Sequence, residues 1–297
     1  MTMEQAEWQV VRKKKSTKNQ KVNPKEQTVL KTEIYLCDTV QERKNVIQKL
    51  YSTMEDLRLS EFWKTCQECV QRVPPLASEE YDSNRGVVCS LSPDIIQEGV
   101  IQSFDCVCYG LGNFSSCIIS RHQLAFLLLF LEQFKIPRSQ SYVFDPLFSQ
   151  MEVSVLQQLG LTVLLDNEEG KRVVHKPTVF YMLHCGKALY NNLLWCNWSQ
   201  EALSNMIIIG NSFKSIEERL LSRILQRDYM YIHQGLQIVE ETPFPESCQY
   251  NDVFNDTSIH YFPMQKLRTL PADVWLLQEE PQYHECEDLE IIRNQKT

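Results

Sequence analysis

Residues 104–114 read Phe104-Asp105-Cys106-Val107-Cys108-Tyr109-Gly110-Leu111-Gly112-Asn113-Phe114. A short apolar run over 105–109 breaks at a glycine turn, and a helical pattern follows over 120–134. Strand, turn and helix in that order open a parallel α/β sheet. The unit then repeats. Residues 141–144 predict a strand ending in Asp145-Pro146, and 151–159 a helix ended by Gly160. Residues 161–165 predict a strand running into Asp166-Asn167-Glu168-Glu169-Gly170, and 178–183 a strand ending in His184-Cys185-Gly186. A helix over 188–198 and a strand over 206–209, ending in Gly210-Asn211, complete the pattern. Each strand is continuously apolar, as a sheet covered on both faces requires. The expected fold is α/β: a Rossmann-like, doubly wound, mostly parallel sheet of about five strands, preceded by a helical segment.

Outside this core the chain changes character. Residues 1–35 carry eight Lys or Arg against four Glu, a net of +4 that leaves −12 for the rest of a chain whose total is −8. They read as a disordered basic arm. Residues 36–104 read as a helical segment and connector. Within it, apolar residues from Val46 to Val70 recur at helical spacing, Asp38-Thr39 offers an N-cap, a break falls near Leu59-Ser60, and Pro74-Pro75 ends the run. Residues 105–275 form the α/β domain, with a polar helix over 215–226 and a strand-like 259–262, and residues 276–297 an acidic tail.

Arg12-Lys13-Lys14-Lys15 suits a weak nucleic-acid contact or a nuclear address. The acidic body argues against general nucleic-acid binding, which needs clustered positive charge on a folded surface. The longest apolar run, residues 124–131, is too short for a bilayer, which takes about 20 residues, and no signal-peptide pattern opens the chain. The eleven cysteines are odd in number and lack framework spacing, so a reducing compartment is expected. Location is expected to be cytoplasmic and, through the arm, also nuclear. Cys66-Gln67-Glu68-Cys69 has no second pair at zinc spacing and reads as structural; no metal site is expected.

In an open parallel sheet, ligands sit outside the carboxyl ends of the strands. There the sequence places Gly110, Gly112, Asn113, Asp145, Asn167, His184 and Asn211, the candidate ligand-binding residues. Gly110-x-Gly112 starts a dinucleotide-type turn, whose backbone N–H groups and following helix suit a phosphate. Ser115 stands where a third glycine would, and Asp145 lies late for a ribose acid. A nucleotide or S-adenosyl-type ligand is the cofactor class such a turn suits. His184 and Cys185 are adjacent and so point to opposite strand faces, which disfavours a base–nucleophile pair. The 166–170 stretch reads as a solvated charged turn, and Trp195 and Trp198 as core. No Cys-Pro pair and no Cys-x-x-Cys-His occurs, so no haem-ligand motif is present. No catalytic constellation can be read.

The same residues carry a family resemblance. Residues 104–213 resemble the SRR domain, named for plant "sensitivity to red light reduced". The matching stretches are Tyr109-Gly110-Leu111-Gly112-Asn113-Phe114, Ser120-Arg121-x-Gln123-Leu124-Ala125, Val143-Phe144-Asp145-Pro146, Asn167-Glu168-Glu169-Gly170-Lys171, His184-Cys185-Gly186 with Leu189-Tyr190-Asn191-Asn192-Leu193-Leu194, and Ile208-x-Gly210-Asn211-Ser212-Phe213. Phe254-Asn255-Asp256-Thr257-Ser258 is similar to the vertebrate and other animal members. Leu183 stands where the family has proline before His-Cys. The resemblance implies a regulatory protein acting in circadian clock gene regulation and in regulation of haem biosynthesis, with protein partners and a small-ligand pocket at the strand ends. The alternatives are an S-adenosylmethionine-dependent transferase-like enzyme and a protein-interaction scaffold built on the early helices.

Overall fold

The computed structural model describes residues 24–76 and 104–283. The connector over 77–103 and most of the acidic tail lie outside them. The chain divides into two compact units, Met1–Glu42 and Arg43–Thr297. Helix α1 spans Pro24–Leu59, so it begins inside the stretch read as a disordered arm, and residues 38–39, read as its N-cap, fall within the helix. The break near Leu59-Ser60 is present. Ser60 is extended, and its hydroxyl accepts the Trp63 N–H to cap α2, Glu61–Gln71.

In the larger unit the strands are β1 (Asp105–Tyr109), β2 (Ser141–Phe144), β3 (Thr162–Val163), β4 (Thr178–Met182), β5 (Met206–Asn211), β6 (Glu240–Pro243) and β7 (Thr257–Tyr261). They form one sheet in the order β3-β2-β1-β4-β5-β7-β6. The first five are parallel, and β7 runs antiparallel to β5 and to β6. The sheet therefore has seven strands, not about five. β6 escapes the sequence pattern because an edge strand needs no apolar run: Glu240-Glu241-Thr242-Pro243 is polar and ends in a residue without an N–H.

Helices cover both faces, which is why the strands are apolar throughout. Cys106 and Cys108 face one core with α3 (Ile118–Gln133), α4 (Gln150–Gln158) and α10 (Asn251–Phe254). Val107 and Tyr109 face the other, with α5 (Lys187–Cys196) and α9 (Met230–Gly235). The polar helix expected over 215–226 is two helices, α7 (Phe213–Arg219) and α8 (Ser222–Asp228), divided at Leu220.

Helix α3 explains the longest apolar run. Every residue over 124–131 is buried, because α3 lies between the sheet and a second helical layer. Phe126 stacks on Tyr181 of β4 at 6.2 Å on one side and meets Trp63 of α2 edge-on at 5.1 Å on the other. Arg58 pairs with Glu132 at 2.9 Å at the end of that contact. Cys66 sits fully buried in α2, where burial raises its thiol pKa far above the usual range and leaves it inert. The Trp63→Ala variant is expected to lose about 3–5 kcal/mol in urea unfolding, the usual cost of emptying a large aromatic site. A loss below about 1 kcal/mol would mean that α2 is not integral to the fold.

Candidate functional site

The strand order reverses between β1 and β4, so the turns after these two strands leave the sheet on opposite sides of one crevice. Gly110 and Gly112 both have positive φ, +70° and +74°. Both also admit a close neighbour: a Cβ on Gly110 would lie 2.5 Å from Cys185 Sγ, and one on Gly112 2.9 Å from Ser120 Oγ. The Cys185 thiol donates to the Tyr109 carbonyl at 3.3 Å. The crevice is thus filled at its base by a side chain from the β4 turn, and neither glycine tolerates a substituent.

Asp145, at the end of β2, is buried and uses both oxygens. One accepts the Gly112 N–H at 2.7 Å, the other the Leu147 N–H at 2.8 Å. The carboxylate holds the glycine turn closed. Asn113 works within the same turn: its side-chain oxygen accepts from the Ser115 hydroxyl and from the N–H and hydroxyl of Ser116, at 2.9–3.1 Å. The missing third glycine has its reason here. The Ser115 N–H donates to Glu152, a fully buried carboxylate that also closes a capping box with Ser149 at the start of α4.

His184 carries φ +53°, rare for a residue with a β-carbon. Its ring is exposed and held at both nitrogens: Nδ1 accepts from the Gln123 amide at 3.3 Å, and Nε2 donates to Asn255 Oδ1 at 3.0 Å. Cys185 points away into the core, so the two do not form a base–nucleophile pair. The Asn211 amide donates to the Cys185 carbonyl at 3.0 Å, and its N–H meets the Tyr190 hydroxyl at 2.9 Å. Asn167 stands apart, its oxygen accepting the Glu169 N–H at 3.0 Å.

The turn around Asn167 is not the solvated loop its charges suggest. Glu168 accepts from the Tyr109 hydroxyl and pairs with Arg172 at 2.8 Å, while the Arg172 guanidinium lies 4.5 Å from the Tyr142 ring centre. The Glu169 carbonyl accepts from Asn192 at 2.8 Å. Gly110, Gly112, Asn113 and Asp145 therefore form one cluster, His184 and Asn211 a second joined to it by Cys185, and Asn167 a third reached through Tyr109.

A groove of about 610 Å³ lies beside the second cluster, at the carboxyl ends of β5 and β6, with Ser212, Glu241, Asn255 and Asp256 in its wall. The glycine turn contributes nothing to it. Behind it sits His260 of β7, fully buried, with Nδ1 donating to the Ile208 carbonyl at 3.1 Å and Nε2 accepting the Phe213 N–H at 3.4 Å. Burial, partly opposed by Glu241 at 3.7 Å, lowers the His260 pKa to about 4. Sequence reasoning passed over Glu241 and His260, since a lone His in an apolar strand carries no motif. Among the described residues no three His, Cys, Asp or Glu side chains gather as a metal site, and no helix is long and apolar enough to cross a membrane.

A mostly parallel α/β sheet whose glycine turn is locked by the acid of the next strand defines the class of protein. A family profile described as the SRR1 domain matches residues 91–261, and the chain belongs to that family. It is 54% identical over 199 residues to the SRR1-like protein of Mus musculus, covering 63% of this chain and 79% of that protein. It is 33% identical over 161 residues to the SRR1-like protein of Drosophila melanogaster, covering 54% of this chain and 56% of that one. It is 36% identical over 158 residues to Protein SENSITIVITY TO RED LIGHT REDUCED 1 of Arabidopsis thaliana, covering 52% of this chain and 58% of that one.

Two expectations follow. Asp145→Ala should leave the Gly112 N–H without its charged acceptor, lowering stability by about 1.5–3 kcal/mol. Hydrogen exchange at Gly112 should then be fast; unchanged protection would show that the turn holds itself. His260 is neutral in the folded protein, and its folded pKa lies below the unfolded value of 6.5. Stability is therefore complete above pH 6.5 and falls as pH drops from 6.5 toward 4, by an amount on the order of 3 kcal/mol. His260→Asn should flatten that slope in denaturant titrations; an undiminished slope would place the proton uptake elsewhere.

Proposed function

We propose that this chain is a non-enzymatic regulator of the SRR family, acting in circadian clock gene regulation and in regulation of haem biosynthesis through a small ligand held at the strand ends. The family supports the regulatory role, and the Arabidopsis relative's name ties it to light signalling. One observation carries the rest. At the crevice where an open parallel sheet would work on a substrate, each polar side chain already serves a neighbour: Asp145 holds Gly112, Asn113 holds Ser116, and His184 is held at both nitrogens. The space for a ligand lies one strand pair further on, in the groove beside Asn255. The site of action is the cytoplasm, with the basic arm as a nuclear address, and partner proteins read the liganded state.

A second reading, a Rossmann-like transferase using an S-adenosylmethionine-type cofactor, is favoured by the strand order. The sheet runs β3-β2-β1-β4-β5-β7-β6, with a glycine turn after β1 and an acid after β2, at the crevice where an open parallel sheet binds ligands. In that reading Gly110, Gly112, Asn113 and Asp145 meet the nucleoside, with Asn167, His184 and Asn211 around it. The residues as placed fit it poorly: the Gly112 N–H is already donated to Asp145, and each Asp145 oxygen already accepts a backbone N–H.

Cells lacking the protein are expected to show an altered clock-reporter period and altered haem content, both restored by the wild-type chain. Normal rhythm and normal haem in its absence would remove the proposed role. A thermal-shift screen separates the two readings. S-adenosyl compounds should give no shift; a ligand at 100 times its dissociation constant would stabilise by about 2.7 kcal/mol. A saturable shift with them would favour the transferase.

A further inference from the structure

The groove at the carboxyl ends of β5 and β6 has the volume of a small-molecule site, about 610 Å³. Its chemistry is uneven. One wall is aromatic. Phe62 of α2 stacks on Phe254 at 5.0 Å and lies 5.2 Å from Tyr250, and Phe244 closes the group at 6.3 Å. The lining also carries Glu241, on the edge strand β6, whose side chain is 3% exposed. Its oxygens accept from the Ser212 hydroxyl and from the Lys214 backbone N–H, the latter at 3.2 Å. Both donors are neutral.

Among the described residues no Lys or Arg side chain forms an ion pair with Glu241. The neighbouring titratable group, His260 at 3.7 Å, already donates its Nδ1 proton to Ile208 and takes the Phe213 N–H at Nε2, so it carries no compensating charge. A carboxylate removed from water and left without a counter-ion is costly, and a cation reaching it through the groove relieves that cost. The rest of the lining agrees in sign: Glu246 and Asp256 join Glu241, against Lys214 alone. Asp256 is itself paired with Arg219 and Glu246 is exposed to water, so Glu241 is the buried carboxylate of the lining without an ion-pair partner among the described residues.

We propose that this groove binds an organic cation, a protonated amine or a guanidinium on an apolar stem, with Glu241 as its counter-ion and the aromatic wall against the stem. Aromatic side chains and a buried carboxylate lining one groove suit such a ligand, since ring faces attract the same charge that the carboxylate neutralises. The assignment rests on the groove being the ligand site of the proposed function. It also joins that site to the switch point: Asn255 lines the groove and accepts from His184 Nε2. A ligand that moves Asn255 therefore moves the turn after β4.

Calorimetric titration of the full chain with spermidine, arginine methyl ester and N-acetyl-Gly-Arg-Gly-amide tests it, with citrulline methyl ester as the neutral control. The expected result is saturable binding of at least one cation, no binding of the control, and roughly tenfold weaker binding by Glu241→Gln. Tighter binding of the peptide than of the free amines would identify a protein segment as the source of the cation, and the reverse a small molecule; both support the site. Ser247→Trp, which puts an indole into the groove and leaves the Glu241 carboxylate in the chain, should abolish binding and serves if Glu241→Gln does not fold. Absence of binding by every cation, or binding that neither variant weakens, would overturn the proposal. If instead a nucleotide or haem binds and Ser247→Trp blocks it, the cation assignment fails while the groove stands as the ligand site.

Discussion

Asp145 accepts the Gly112 N–H through one oxygen and the Leu147 N–H through the other, and the carboxyl edge of the sheet is arranged around that clasp. A buried carboxylate must be fully hydrogen-bonded to be tolerated. The chain meets that demand by folding the turns after β1 and β2 onto the same group. Gly110, in the turn after β1, packs against Cys185, whose thiol donates to the Tyr109 carbonyl. Glu152 repeats the device one turn later, tying Ser115 to the start of α4. Two acids thus convert what looks like a phosphate loop into a latch.

The motif over 189–194 has a similar reason on the other face. Asn191 accepts the N–H groups of Tyr231 and Ile232 and so satisfies the first turn of α9. Asn192 reaches the Glu169 carbonyl and the Tyr283 hydroxyl. Tyr190 passes beneath β5, where its hydroxyl donates to the Met182 carbonyl and would collide with any Cβ on Gly210. Polar residues that sequence alone places on a helix without a task are the links between α5, α9, the acidic turn and Tyr283. That accounts for much of the polar content of the motifs without invoking a ligand.

The region beyond β5 differs. There the parallel pattern stops, β7 runs back antiparallel, and the polar edge strand β6 brings Glu241 over the buried ring of His260. The two groups come from residues nineteen positions apart, joined only by the pairing of Glu241 with His260 across the hairpin. Their juxtaposition, and the groove it borders, is a property of the antiparallel addition to the sheet.

The amino-acid sequence determined the parallel core. Apolar runs at 105–109, 141–144 and 178–182, alternating with helical stretches, point to a covered sheet, and the glycine, acid and His-Cys-Gly signals mark the strand ends because turn chemistry is local. The helix over 120–134 was legible too, while the burial of its whole 124–131 stretch came from the layers packed on it. Tertiary structure decided what those strand ends do. Whether Asp145 faces a crevice or a backbone N–H, and whether the acidic turn is wet or docked, depends on residues 30 to 60 positions away, such as Gly112 for Asp145 and Tyr109 for Glu168. Strand order, and with it the insertion of β7 beside β5 and the pairing of Glu241 with His260, is set by long-range packing that no local period records.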